Sequence, residues 1–449
     1  MRSKAGDPPR TMAEKILAGR AAGLRDSGKP DGAEVKVDQV VLVRDPRKGI
    51  AEGLSAGLKK AAAEVSIAYD TACVRDASSA PALGAEVLSH GLLLARPGAG
   101  FPAAVHLERF AAPARLAVTD EPRLASLGGI GMLTLVASAA MLGQGLSRGR
   151  VRIRPPRSIQ VQLTGRLRPF VSARDVAFEW IRRDLGELVA RLEASCGAPI
   201  VLEFGGPGAR FLSVPERAIL CTMAPYVGAA AALFGSDERT EVFLRDERRS
   251  KAHRALVPDA GAPFEEVVAL DLGAVDPLMM RAAGDGEPRT SSAVEIQPVR
   301  DLAGKAVSQV LLGGDVGVTL RELFVVATLL KSKRLPKGLD FLLAIPSRQM
   351  LEVLAESGAL ADLIATGARL LEPDPRVAVG ALYPPPPGPG LSLSTCAGQD
   401  GPSRSIVVSA ETLAYAVATG KMGDPRAFKR PVRVTVPRAL PTDDVFVKR

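Results

Sequence analysis

The feature that most limits what this chain can fold into is a repeated strand–turn–helix pattern with glycine-rich turns. Across residues 158–164, Ile159, Val161 and Leu163 alternate with Gln160 and Gln162, the two-residue period of a strand with one face on a core. Gly165 turns the chain. Ser172 is placed to cap a helix predicted over 173–195, on which Val176, Trp180, Leu185, Leu188 and Leu192 share one face. A strand predicted over 200–204 runs into Gly205-Gly206-Pro207-Gly208, and a helix predicted over 214–232 carries Pro215 in its first turn. A buried strand at 307–312 leads through Gly313-Gly314-Asp315 to a helix at 320–331. Strands separated by helices are joined by crossovers, so the pattern predicts the α/β class with at least one parallel or mixed sheet.

The remaining segments continue this alternation. Helical spacing over 11–23 follows Thr11 as a cap, with Glu14 three residues on. Further helices are predicted over 50–65, 84–94, 132–142, 349–358, 361–367 and 410–419, and further strands over 35–43, 115–119, 150–154, 265–272, 341–345 and 406–408. Residues 1–10 are polar and are expected to be disordered. Residues 384–389 are a proline-rich loop, and 428–449 form a basic tail with a strand predicted at 432–436. A chain of 449 residues has room for two to four domains at roughly 100–200 residues each.

Charge and cysteine usage narrow the function. The net charge of +9 comes from scattered basic residues without interleaved aromatics, so a polyanion or nucleic-acid surface is disfavoured. The apolar stretch 124–146 carries Gly128, Gly129, Gly131, Gly143 and Gly145, which fits a buried loop and helix better than a membrane span. The four cysteines, Cys73, Cys196, Cys221 and Cys396, are widely spaced, with no C-x-x-C and no disulfide framework. A cytoplasmic protein is expected from this usage, with Cys196 and Cys221 as buried small hydrophobes. The three histidines, His90, His106 and His253, read as surface residues. The glycine turns match neither the P-loop nor the full dinucleotide fingerprint. Asp315, at a strand–helix turn, reads as an N-cap or solvated turn residue in preference to a ligand for a hard cation.

Four stretches together resemble the aconitase superfamily, specifically the large subunit of isopropylmalate dehydratase and homoaconitase. They are Thr11-Met-Ala-Glu-Lys-Ile-Leu-Ala-Gly-Arg20; Ser158-Ile-Gln-Val-Gln-Leu-Thr-Gly165 with Val171-Ser-Ala-Arg-Asp-Val-Ala177; Leu202-Glu-Phe-Gly-Gly-Pro-Gly208 with Leu212-Ser-Val-Pro-Glu-Arg-Ala218; and Val417-Ala-Thr-Gly-Lys-Met-Gly-Asp-Pro-Arg426. No single stretch is specific, but their order and spacing are. The resemblance implies three α/β/α domains around a central cleft. A swivel domain would be a separate small protein, and none is expected in this chain. The corresponding division is a disordered N-terminus at 1–10, domains at 11–125, 126–290 and 291–430, and a basic tail at 431–449.

In that family a [4Fe–4S] cluster is held by three thiolates. The resemblance places the ligand positions on Asp315, Pro375 and Ala378, none of them cysteine. It places the substrate-contact runs on Glu121-Pro-Arg-Leu124, on Thr222, Met223 and Tyr226, and near 394–403, where the nearest arginine is Arg404. Ser347 and Arg348 match a cleft-lining turn. The expectation is therefore a chain without the cluster, with no catalytic, cofactor-binding or metal-binding residue, acting as a binding or partner subunit. The implied partners are a swivel-domain small subunit or an active relative, and the implied ligand is a small carboxylate. The alternative is a hydro-lyase or isomerase of hydroxy-dicarboxylic acids with an altered, cluster-free site.

Overall fold

The computed structural model describes residues 8–21, 32–75, 81–282, 294–396, 405–442 and 446–447. The disorder expected for residues 1–7, the arginine at 404 and residues 397–403 of the family's arginine segment lie outside these. The α/β class holds. Three larger sheets are mostly parallel, and helices cover their faces.

The first sheet runs in the order Phe446–Val447, Leu93–Ala95, Val65–Tyr69, Gln39–Leu42, Leu116–Thr119, Leu133–Val136, all parallel except the antiparallel strand Phe446–Val447. The second sheet is fully parallel, in the order Ala231–Phe234, Ile200–Gly205, Arg157–Thr164, Glu266–Asp271. The third is mixed. Its parallel part is Ile406–Val408, Leu391–Ser394, Val307–Gly313, Asp340–Ala344 and Arg369–Leu370, extended on one edge by the antiparallel strands Leu278–Ala282 and Val294–Pro298. A two-stranded ribbon, Ala33–Lys36 with Arg150–Ile153, stands apart.

Several elements differ from the sequence expectation, each for a local reason. The strand expected over 35–43 is two strands. Val37 and Asp38 lie between them, and the Asp38 carboxylate takes the Leu116 N–H at 2.8 Å and the Arg20 guanidinium. The helix expected over 173–195 breaks into Ala173–Arg182 and Leu185–Cys196 at Asp184, which has φ +58°. The helical readings over 84–94, 132–142 and 214–232 each took in part or all of a short strand, Leu93–Ala95, Leu133–Val136 and Ala231–Phe234, and a further strand, Val65–Tyr69, begins where the helix read over 50–65 ends. Residues 432–436 form no strand. Val432, Val434 and Val436 instead pack partly buried against the core of the third sheet. Cys221 is buried as expected, whereas Cys196 is partly exposed.

Caps legible in the sequence do form. Thr11 and Glu14 make a reciprocal capping box on helix Met12–Ala18, and Ser172 does the same with Asp175 on Ala173–Arg182. The first of these helices is also fixed from a distance, because Met12 and Ala13 each donate an N–H to the buried Glu203 carboxylate at 2.8 Å. The layers approach most closely where glycine stands. A Cβ on Gly128 would overlap the carbonyl oxygen of Ala232, so the turn beside the first sheet can rest on the second.

Candidate functional site

Strand Val307–Gly313 ends at a turn whose geometry admits few residues. Gly313 has φ +114°, and a Cβ there would overlap the Ala344 carbonyl oxygen. Thr395 Oγ1 accepts from Gly313 N at 2.8 Å and donates to Gly313 O at 3.0 Å, which pins the turn to the neighbouring strand. The turn carries Asp315 into the interior.

Asp315 is neither solvated nor a cap for its own helix. Its Oδ1 accepts from Ala103 N at 3.1 Å and Ala104 N at 3.4 Å, so it caps helix Pro102–Arg109, more than two hundred residues earlier. Its Oδ2 stands 3.9 Å from Arg123 Nε. Arg123 in turn grips Glu121 with a two-pronged pair, Nε to Oε1 and Nη2 to Oε2, both at 2.8 Å. Arg44 Nε reaches the same carboxylate at 3.3 Å. On the far side Arg174 Nη2 donates to Val316 O at 2.8 Å and Gly317 O at 3.3 Å.

The electrostatics follow from this burial. Desolvation pushes Asp315 up to about 6, against the pull of Arg123. Burial also works to raise Glu121, yet the hydrogen bonds and charge of Arg123 hold it below its ordinary value. These side chains fill most of the space. The cavity that remains between Arg123, Arg174, Thr222, Tyr226 and Asp315 is about 30 Å³, the room of a water molecule or so. Asp315 Oδ2 and Arg174 Nε have no hydrogen-bond partner there.

The other mapped positions lie elsewhere. Pro375 opens a short turn, Pro375–Val377, and Ala378 is buried behind it. Asp374 fixes that turn by accepting from Cys73 N at 3.1 Å, Val74 N at 3.2 Å and the Arg376 guanidinium. Pro375 lines a cavity of about 330 Å³ with Arg44, Arg47, Asp70 and Arg75, whereas Asp315 lines the small central one. Ser347 is a buried N-cap. It accepts from Met350 N at 3.1 Å and donates to Glu108 Oε1 at 2.6 Å. Arg348 is exposed in the first turn of helix Arg348–Glu356.

The surface reading of His106 is corrected. His106 is fully buried. Gln39 Nε2 donates to Phe110 O, which turns Gln39 Oε1 toward His106 Nε2 at 2.7 Å. His106 Nε2 therefore carries the proton, and Nδ1 accepts from Tyr69 Oη at 3.1 Å. Burial lowers this imidazole to about 3. Cys396 is a buried thiol with Sγ 3.8 Å from Asp315 O. Neither the Glu121–Arg123 pair nor the Asp315 cap was signalled by any motif.

A cluster held by three thiolates would need three cysteines around one point. Asp315, Pro375 and Ala378 offer none. Cys396 is a buried thiol pushed up by desolvation, and Cys73 is pushed up to about 11. Among the described residues no group of three or more His, Cys, Asp and Glu side chains could hold a metal ion. The residues in place do not fit such a cluster, and no chemical step is derived through one.

Residues 58–412, well over half of the chain, match the model of the aconitase family (aconitate hydratase). The chain belongs to the aconitase family. Among curated proteins it is 28 % identical over 277 residues to 3-isopropylmalate dehydratase large subunit 2 of Archaeoglobus fulgidus, a match spanning 62 % of this chain and 63 % of the relative. It is 27 % identical over 378 residues to 3-isopropylmalate dehydratase large subunit 1 of Deinococcus radiodurans, spanning 81 % and 80 %. It is 24 % identical over 339 residues to the corresponding large subunit 1 of Thermotoga maritima, spanning 74 % and 77 %. It is thus an aconitase-family protein that resembles isopropylmalate dehydratase large subunits. Family membership corrects the expectation of a chain without cofactor. The aconitase family is one of [4Fe–4S] proteins, and neither the family match nor these relatives give a sign that the cluster is lost. Among the described residues no helix is long and apolar enough to cross a membrane.

Proposed function

We propose that this aconitase-family chain is a binding or partner subunit whose central site performs no hydration chemistry. The observation that carries the reading is the filled centre. Arg123 is paired with Glu121 and stands 3.9 Å from Asp315, which caps helix Pro102–Arg109, and about 30 Å³ remains. A hydroxy-dicarboxylic acid needs several times that volume. The partner would be a separate small subunit, since the relatives carry the name large subunit. A small carboxylate beside Arg44, Arg47 and Arg75 belongs to the same reading. So do the division at 11–125, 126–290 and 291–430, a cleft role for Ser347 and Arg348, and a cytoplasmic location argued from four cysteines outside any disulfide.

The second reading is a hydro-lyase of aconitase type, favoured by the names of the relatives. One experiment separates them. Purified chain, treated anaerobically with iron and sulfide and supplied with a cognate small subunit, is assayed against a panel of 2- and 3-hydroxy dicarboxylic acids. No turnover, together with co-elution of the two subunits, is expected. Dehydration of any member of the panel would overturn the first reading in favour of the second.

A further inference from the structure

A second cavity, about 230 Å³, opens beside residues 316–320 and takes no part in the central network. Its walls are apolar. Ala104 and Leu107 come from helix Pro102–Arg109, Ala218 and Ile219 from helix Val214–Cys221, and Phe243 from helix Glu238–Asp246; Val436 closes it from the C-terminal segment. At the ~30 Å³ that a water occupies in the liquid, the space suits about eight non-hydrogen atoms. Packed interiors leave few voids of that size, so this one has the dimensions of a small-ligand site.

Its buried ionisable groups are acids. Glu108 is 4 % exposed and Glu247 is 3 % exposed, and both line the cavity. Each is held by a neutral donor. Ser347 Oγ donates to Glu108, and Gln349 Nε2 donates to Glu247 Oε2 at 2.9 Å. The Arg249 guanidinium is turned onto the carbonyl oxygens of Leu107, Glu108 and Ala111. Arg109 lowers both acids and Arg249 lowers Glu247 from outside the cavity, and Asp246 raises Glu247. Burial and the charge of Glu247 raise Glu108, and burial raises Glu247, so both carboxyls stand above their ordinary range. Arg239 and Arg321 line the cavity too, but their side chains lie exposed at its rim.

We propose that this cavity binds a small primary ammonium ion with an apolar body, its head seated between Glu108 and Glu247. Among the described residues neither acid has an ion pair within 4.0 Å, and a cation there supplies that contact. An anion would meet both acids, and a neutral molecule would leave them as they are. Binding displaces to solvent the protons that the pair carries near neutral pH, so affinity rises with pH as the acids ionise.

The probe is benzylamine, which has about the right size, compared with benzyl alcohol and benzoate by calorimetric titration of the full chain at pH 8. Benzylamine is expected to bind about tenfold or more tightly than either, the factor a charge-assisted hydrogen bond supplies. It should weaken on lowering the pH to 5.5, and Val436→Trp should remove it by filling the space. Glu247→Gln should erase the preference while retaining weak binding of the alcohol. If that variant does not fold, the pH comparison on the native chain decides alone. Equal binding of amine and alcohol, tighter binding of benzoate, or amine binding untouched by Val436→Trp would overturn the proposal.

Discussion

On one side of Val316 lies a cavity of about 30 Å³ walled by Arg123, Arg174 and Asp315; on the other lies one of about 230 Å³ walled by alanine, valine and leucine. The same turn, at Val316, bounds both, whereas helix Pro102–Arg109 lines only the larger. What differs is the side chains that reach in. Toward the centre, long charged groups occupy the volume and depend on one another. Toward the second cavity, Ala103, Ala104 and Ala218 stop short and leave space. The contrast shows that a site in this fold is opened or closed by a few side chains on fixed backbone. Closure by ion pairs also makes each partner indispensable to the next.

The strongest way to break the comparison is Arg123→Ala. It would leave the buried Asp315 without its cation and the fully buried Glu121 with only the longer Arg44 contact. A loss of about 3–5 kcal/mol in unfolding free energy is expected by urea titration. Acid comes next. The imidazole of His106, on helix Pro102–Arg109, is about 3 in the fold against 6.5 for the free side chain. Its stabilising contribution is complete above pH 6.5 and is lost as the pH falls from 6.5 toward 3. His106→Leu should therefore reduce the drop in urea midpoint between pH 7 and pH 4. A variant that drops as steeply as the native chain would exclude this account.

Asp315→Ala removes the cap from Ala103 and Ala104 and should cost about 1–2 kcal/mol, whereas Asp315→Asn, which keeps an acceptor, should cost less. Thermal melts of the pair would show whether the cap or the charge matters. The smallest effect belongs to the open side. Val436→Trp fills existing space beside a partly exposed residue and should shift stability by no more than about 1 kcal/mol.

The alternation of strands and helices was legible because strands such as Arg157–Thr164 keep one polar face. Val65–Tyr69 and Ala231–Phe234 were not, because strands buried on both faces lose the two-residue period and merge with the apolar helices beside them. Caps were legible for a related reason. Thr11 with Glu14 is a contact three residues long, fixed by local geometry. Asp315 with Ala103 and Ala104 spans 212 and 211 residues, and nothing near either end signals the other. The position of Asp315 on its turn could be read from sequence, and its partner could not. His106 was misread because a lone polar residue gives no sign of burial until Gln39 and Tyr69 are brought to it by other strands.

Strand Phe446–Val447 pairs with Leu94–Ala95 at the edge of the first sheet, and Phe446 packs edge-on against Phe110 at 4.8 Å. That sheet is otherwise assembled from residues 39–136. On the ribosome, then, its outer strand stays open through the synthesis of some three hundred further residues, as an edge on which a second nascent chain can add. The timing of that closure ties the yield of folded protein to the last few residues described, far from either cavity.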